Sequence, residues 1–218
     1  DNNFDSVSDQ TVSVTTTDDD VAGFTIAETN GSTSVAESGT TDTFTVVLNA
    51  QPDSDVVIQF VSADTGEATV TSLLTFTSAN WDTPQTVTVT GADDDLIDGT
   101  QTTTITVSVN DGSSDNDFDG VSDQTVSVAT TDDDVAGFTI AETGGSTSVA
   151  ESGNTDTFTV ALDAQPDSDV VIQFVSADTG EATIAPASLT FTAANWNTPQ
   201  TVTVTGINDG VLIDGDQD

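Results

Sequence analysis

Val126-Ser127-Val128-Ala129-Thr130-Thr131-Asp132-Asp133-Asp134-Val135-Ala136-Gly137-Phe138-Thr139-Ile140 decides the fold. Its left half alternates as a closing strand does, and its right half alternates as an opening strand does. Three aspartates separate the two, which leaves no room for a flexible linker. The same seam occurs near the start, from Val12 to Ile26, around Asp18, Asp19 and Asp20. The stretch is therefore the joint between two copies of one unit.

Working outward, residues 1–20 match 115–134, and 21–70 match 135–184, both at an offset of 114 (Val21 against Val135). One extra residue near Ala185-Pro186-Ala187-Ser188 moves the offset to 115. A further one near Gly210-Val211 moves it to 116. A period near 115 is too long for a solenoid turn and suits a whole domain. The expected division is a closing strand of a preceding repeat over 1–20, a complete repeat over 21–134, and a second repeat over 135–218 that lacks its last strands. The chain reads as an excerpt of a longer array.

Within the complete repeat the period is two. Phe24 and Ile26 open it, and Val35 follows the turn Thr29-Asn30-Gly31-Ser32. Phe44, Val46 and Leu48 share one face, with Thr43 and Thr45 on the other. Val56 to Val61 is more continuously apolar, as a central strand is. Leu74 and Phe76 lead into Trp81, and Val87 and Val89 alternate with threonines. Ile105, Val107 and Val109 form the penultimate strand, and Val126 and Val128 the last. About seven strands and no helical periodicity predict an all-β chain of tandem immunoglobulin-like β-sandwiches. Trp81 and Trp196 recur beside a strand, which favours core or rim packing over sugar stacking. Threonine favours strands, and this accounts for the polar faces ahead of O-glycosylation or docking to a crystalline surface.

Thirty-eight acidic residues stand against no Lys, Arg or His, for a formal charge of −38. Binding nucleic acid requires cationic side chains that release counterions, so that class is excluded. Attraction to anionic membrane surfaces fails on the same ground. No apolar run approaches the ~18 residues of a membrane helix. Hydrophobic residues make up 34% of the chain, in ordered alternation, which argues against disorder. Without Cys there are neither disulfides nor thiolate metal sites. Enzymatic chemistry has no Cys, His or Lys to work with, so no catalytic residue is assigned.

Phe24-Thr25-Ile26, Val35-Ala36-Glu37-Ser38-Gly39, Asp93-Asp94-Asp95-Leu96-Ile97-Asp98 and Thr130-Thr131-Asp132-Asp133-Asp134 together resemble the Calx-β family. The variant carrying Ala79-Asn80-Trp81-Asp82-Thr83-Pro84 is similar to repeats of large bacterial surface proteins and adhesins. The resemblance implies an immunoglobulin-like sandwich that holds Ca2+ at one end, near the junction with the next domain. It implies ligand roles for Glu37, Asp93, Asp94, Asp95, Asp98, Asp132, Asp133 and Asp134. In the second repeat it implies Glu151, Asp209 and Asp214, and in the preceding seam Asp18, Asp19 and Asp20. Gln101 stands where the family has a second glutamate, and Asp64-Thr65-Gly66-Glu67 lacks the family's Ser-Asp-Tyr element. Fewer ions or weaker affinity follow. Asn208 replaces the first loop aspartate of the second repeat.

Oxygen-rich clusters suit calcium, which takes six to eight oxygen ligands. Alternate residues of an extended stretch point the same way, so Asp132 and Asp134 can share an ion that Asp133 does not face. Asp115-Asn116-Asp117-Phe118-Asp119-Gly120, with Asp123 at the ninth position, has calcium-loop spacing but lacks the closing glutamate. Two readings stand for it, a weak calcium site and an Asx-rich turn. The function these residues imply is a calcium-stabilised structural repeat of an extracellular stalk, adhesin or filament, on a bacterial surface. The alternative is a glycan- or surface-binding adhesion module. Expected partners are neighbouring repeats, including strand exchange or filament assembly with identical chains.

Overall fold

The computed structural model describes residues 2–210. Among these the regular elements are strands, joined by turns and short 3-10 segments. Among the described residues no helix is long and apolar enough to cross a membrane. Residues 21–134 hold β1 (Phe24–Glu28), β2 (Thr33–Ala36), β3 (Thr41–Leu48), β4 (Val56–Ser62) and β5 (Ala68–Val70). The same segment continues with β6 (Leu73–Phe76), β7 (Gln85–Gly91), β8 (Gln101–Val109) and β9 (Gln124–Thr131). They form two sheets, ordered β1-β3-β7-β5 and β2-β9-β8-β4-β6. Nine strands replace the seven or so expected. The additions are short pieces such as Ala68–Val70, in which a period of two has too few residues to show.

Alternation places the core between the sheets. Phe44, Val46, Val87 and Val89 come from one sheet, and Ile58, Ile105, Val107 and Val128 from the other. All of these are fully buried. Phe44 meets Phe60 edge to face, with centroids 5.9 Å apart and planes at 62°. That geometry aligns a ring's positive edge with its neighbour's negative face. The Thr29–Ser32 turn needs left-handed backbone at two positions, met by Asn30 (φ 59°) and Gly31 (φ 83°) and in the second repeat by Gly144 and Gly145. Trp81 packs against the first core, and Trp196 is buried in the second. Both tryptophans are packing residues.

The second repeat contains β10 (Phe138–Glu142), β11 (Thr155–Leu162), β12 (Val170–Gln173), β13 (Ala182–Ala185), β14 (Ser188–Phe191) and β15 (Gln200–Gly206). Its first sheet, β10-β11-β15-β13, repeats the order of β1-β3-β7-β5, whereas β12 and β14 stand as a separate pair. Comparing the twins isolates the role of β8 and β9. β2 pairs in parallel with β9 (Thr33↔Val128 to Ala36↔Thr131), and its sequence twin 147–150 forms no strand. Strand β4 pairs with β8 across Ile58–Ser62, and its twin β12 stops at Gln173. Phe24 is 3% exposed against 52% for Phe138. Residues 7–17 differ from 121–131 only at Thr15, yet they form no strand, and Val12 is 87% exposed where Val126 is 1%. A strand requires ladder partners, and those of β9 are β8 and β2.

Phe44→Ala therefore removes a filled core position and is expected to cost about 3–5 kcal/mol. Phe158→Ala, at the half-buried twin position, should cost clearly less. Hydrogen exchange resolved by repeat measures both.

Candidate metal centre

Five carboxylates converge at the end of the sandwich where β2, β5, β7 and β9 meet their loops. Ligand oxygens of Glu37, Glu67 and Asp94 lie within 4.8 Å of one another, as do those of Glu37, Asp132 and Asp134. Glu37 belongs to both groups and links them. It follows directly on β2, and its amide donates to the Thr131 carbonyl at 3.1 Å, so the parallel β2–β9 ladder carries it inward. It is 1% exposed. Close approach here requires Gly91: a Cβ at that position would lie 2.0 Å from the Ala36 carbonyl oxygen.

The acidic triplet alternates as an extended segment does. Asp132 and Asp134 are half-buried, and Asp133 is exposed. The Asp132 carboxylate accepts from the Asp134 amide at 2.7 Å and the Gly99 amide at 2.8 Å. Those backbone donors hold its pKa below the usual carboxylate value. Asp94 accepts from the Leu96 amide at 2.7 Å, which folds the 93–98 loop back on itself. Glu67 reaches the centre from the turn before β5, where Asp64 accepts from the Gly66 amide at 2.9 Å. The Glu67 carbonyl in turn accepts from the Ala92 amide at 2.9 Å.

Three oxygens in this cluster are buried without a hydrogen-bond partner: Glu37 Oε1, Glu67 Oε2 and Asp134 Oδ2. Leaving a buried carboxylate oxygen unsatisfied costs on the order of 1–3 kcal/mol or more. Burial, reinforced by neighbouring acids, raises all three pKa values. For Glu37 the value rises from 4.5 to about 7, chiefly through desolvation, opposed by the Asp133 amide and reinforced by Asp94, Asp132 and Asp98. A hard cation with several oxygen ligands supplies what all three oxygens lack, so the donor set fits Ca2+.

The remaining sequence candidates fall elsewhere. Asp93, Asp95 and Asp98 are exposed on the loop, with Asp98 near enough to raise Glu37 and Glu67. Asp18, Asp19 and Asp20 are exposed, and the Asp20 amide donates to Asp18 in the same local turn as Asp134 and Asp132. Asp115 is buried and accepts from the amides of Ser54 (2.7 Å) and Asp117 (3.1 Å), which pins the β8–β9 connection to the start of β4. Asp117, Asp119 and Asp123 are exposed around it. This loop is an Asx turn in its hydrogen bonding. In the second repeat Glu151 is half-buried and Asp209 exposed, and Asp214 lies outside the described residues. Glu67 was not among the sequence candidates. The signal available was an acid placed just before a short strand in both copies, Glu67 and Glu181.

Among solved structures of similar arrangement, CBD12 from CALX1.2 is 17% identical, with 85% of this chain and 76% of that one covered and a TM-score of 0.37. The apo-form Calx CBD1 domain is 18% identical over 51% of this chain and 98% of that one, with a TM-score of 0.36. Domains 5-6 of the S-layer protein SbsC are 20% identical over 88% and 86%, with a TM-score of 0.35. No family model and no curated protein matches the chain.

The raised pKa of Glu37 fixes the sign of a pH effect. Protonated Glu37 is favoured in the fold, so its contribution is complete below about pH 4.5 and is lost as pH rises through about 7. The metal-free protein should melt at a lower temperature at pH 8 than at pH 5, and Glu37→Gln should flatten that slope in a thermal scan. On the reading that the cluster holds Ca2+, the same variant should bind the ion at least tenfold more weakly by calorimetry, through loss of the carboxylate common to both groups. Gly91→Ala should displace Ala36–Glu37, with about 1–3 kcal/mol of destabilisation, and on the same reading should weaken the ion's binding.

Proposed function

We propose that this chain is part of a non-enzymatic array of β-sandwiches on a bacterial exterior, stiffened where Ca2+ neutralises the carboxylate cluster at the end of a repeat. One observation carries the reading: three buried carboxylate oxygens without partners converge in a chain that has no cationic side chain to offer them. Glu37, Glu67, Asp94, Asp132 and Asp134 are the proposed ligands, with Glu37 shared between two positions. Like charges at about 4 Å repel by roughly 4 kcal/mol at an effective dielectric near 20, so a bound cation has a large penalty to relieve.

A mechanical role for the site is supported by where its loop leads. The Asp95 carbonyl, in the loop that bears Asp94, accepts from the amide of Gln165 in the second repeat at 2.7 Å, and Leu96 and Gln165 form a parallel bridge. Ordering that loop around an ion therefore orders a contact with the following sandwich. Ca2+ is proposed to hold the angle between repeats as well as to stabilise one of them.

Thermal unfolding and small-angle scattering of the chain in Ca2+ and in chelator test this. The expected outcome is a higher melting temperature and a longer, narrower particle with Ca2+. Identical melting and scattering in the two conditions would overturn the proposal.

A further inference from the structure

The acids of this chain avoid the walls of the sandwich. Of the twenty between residues 21 and 134, only Glu28 and Asp42 lie in strands. Both are engaged there, Glu28 by the Thr33 hydroxyl and Asp42 by the amides of Ser34 and Thr43. In the second repeat the described strands likewise hold only Glu142 and Asp156.

On the outer face of the β1-β3-β7-β5 sheet the positions that charge has left are filled by threonine in register. Thr41 faces Thr90, Thr43 faces Thr88 and Thr45 faces Thr86 across the β3–β7 ladder. The second repeat carries the same lattice, with Thr155, Thr157 and Thr159 opposite Thr205, Thr203 and Thr201. All six first-repeat hydroxyl positions are half-buried or exposed, so among the described residues no other element covers this face. Strand propensity favours threonine here, but it does not supply a partner for the face.

We propose that this neutral face is a side-by-side contact between copies of this chain. The argument begins with charge. Two molecules of formal charge −38 can approach closely only where carboxylates are absent. Stacked sheets come within about 10 Å of each other, close to the ~8 Å screening length at physiological ionic strength. Side chains from both sheets project into that gap, so carboxylates on facing walls would meet well inside the screening length and repel, and threonines do not.

The second argument is self-complementarity. A threonine hydroxyl both donates and accepts, so a hydroxyl lattice matches a copy of itself under two-fold symmetry. The third is size. Outward positions number two on β1, four on β3, three on β7 and one on β5, and at about 4.8 Å by 6.7 Å each they make a face on the order of 300 Å2. One such face is too small for a stable interface, and two engaged together give each partner about 600 Å2, the scale of a weak, reversible contact. The contact accordingly strengthens with the number of repeats engaged, as multivalent contacts do.

Sedimentation velocity of the 218-residue chain, in chelator at about 0.15 M salt and up to about 1 mM protein, tests the proposal free of any metal bridge. A reversible dimer is expected. Thr43→Asp with Thr88→Asp should weaken it at least tenfold, and Thr86→Asp alone, at an exposed position, should weaken it in the same direction with the circular dichroism unchanged. Ser127→Asp, on the outer face of the other sheet, should leave it intact. A monomer at every concentration would overturn the proposal, as would equal weakening by Ser127→Asp. Retention of a monomer on a neutral polysaccharide matrix would overturn it in favour of a glycan-facing wall.

Discussion

A chain with thirty-eight carboxylates and no cationic side chain has three ways to accommodate each one: water, a backbone amide, or an ion from solution. The fold sorts its acids among these three. Most stand in loops, where water serves. Asp42, Asp115 and Asp132 are held by main-chain donors, the amides of Ser34, Ser54 and Gly99, and tie segments distant in sequence to one another. Glu37, Glu67 and Asp134 keep buried oxygens that neither route satisfies. The acid-free walls and the congested end of the repeat are two results of the same sorting, since carboxylates kept off the strands have to gather where the strands end.

The two repeats hold nearly the same sequence in different surroundings, and this separates local from tertiary causes. β1, β3 and β7 pair with one another in both copies, with identical registers in β10, β11 and β15, because each is a neighbour's ladder partner inside the same sheet. Thr33–Ala36 is a strand only beside β9, and residues 147–150 show that its sequence does not make one alone. Glu37 inherits that dependence. Its twin Glu151 is half-buried and belongs to no carboxylate cluster among the described residues. The candidate centre is thus a property of the closed sandwich more than of the acids themselves.

This explains what could be read from the letters. Long strands with strict alternation, such as Thr41–Leu48 and Gln101–Val109, announce their faces, and the buried set follows from them. Three-residue Ala68–Val70 carries no period, and so Glu67, which that strand delivers to the centre, went unseen. Asp132 and Asp134 were legible from alternation around Asp133. The Asp115 loop admits two readings in the sequence because calcium loops and Asx turns draw on the same residues, and the amides of Ser54 and Asp117 give it the hydrogen bonds of an Asx turn.

The bridge between Leu96 and Gln165 has a geometric corollary. One residue of extended backbone spans about 3.3 Å and reverses the facing of its neighbours. An insertion or deletion between Asp93 and Leu96 would therefore carry the bridging residue out of register with Gln165, so it is the length of this loop, more than its letters, that the contact reads.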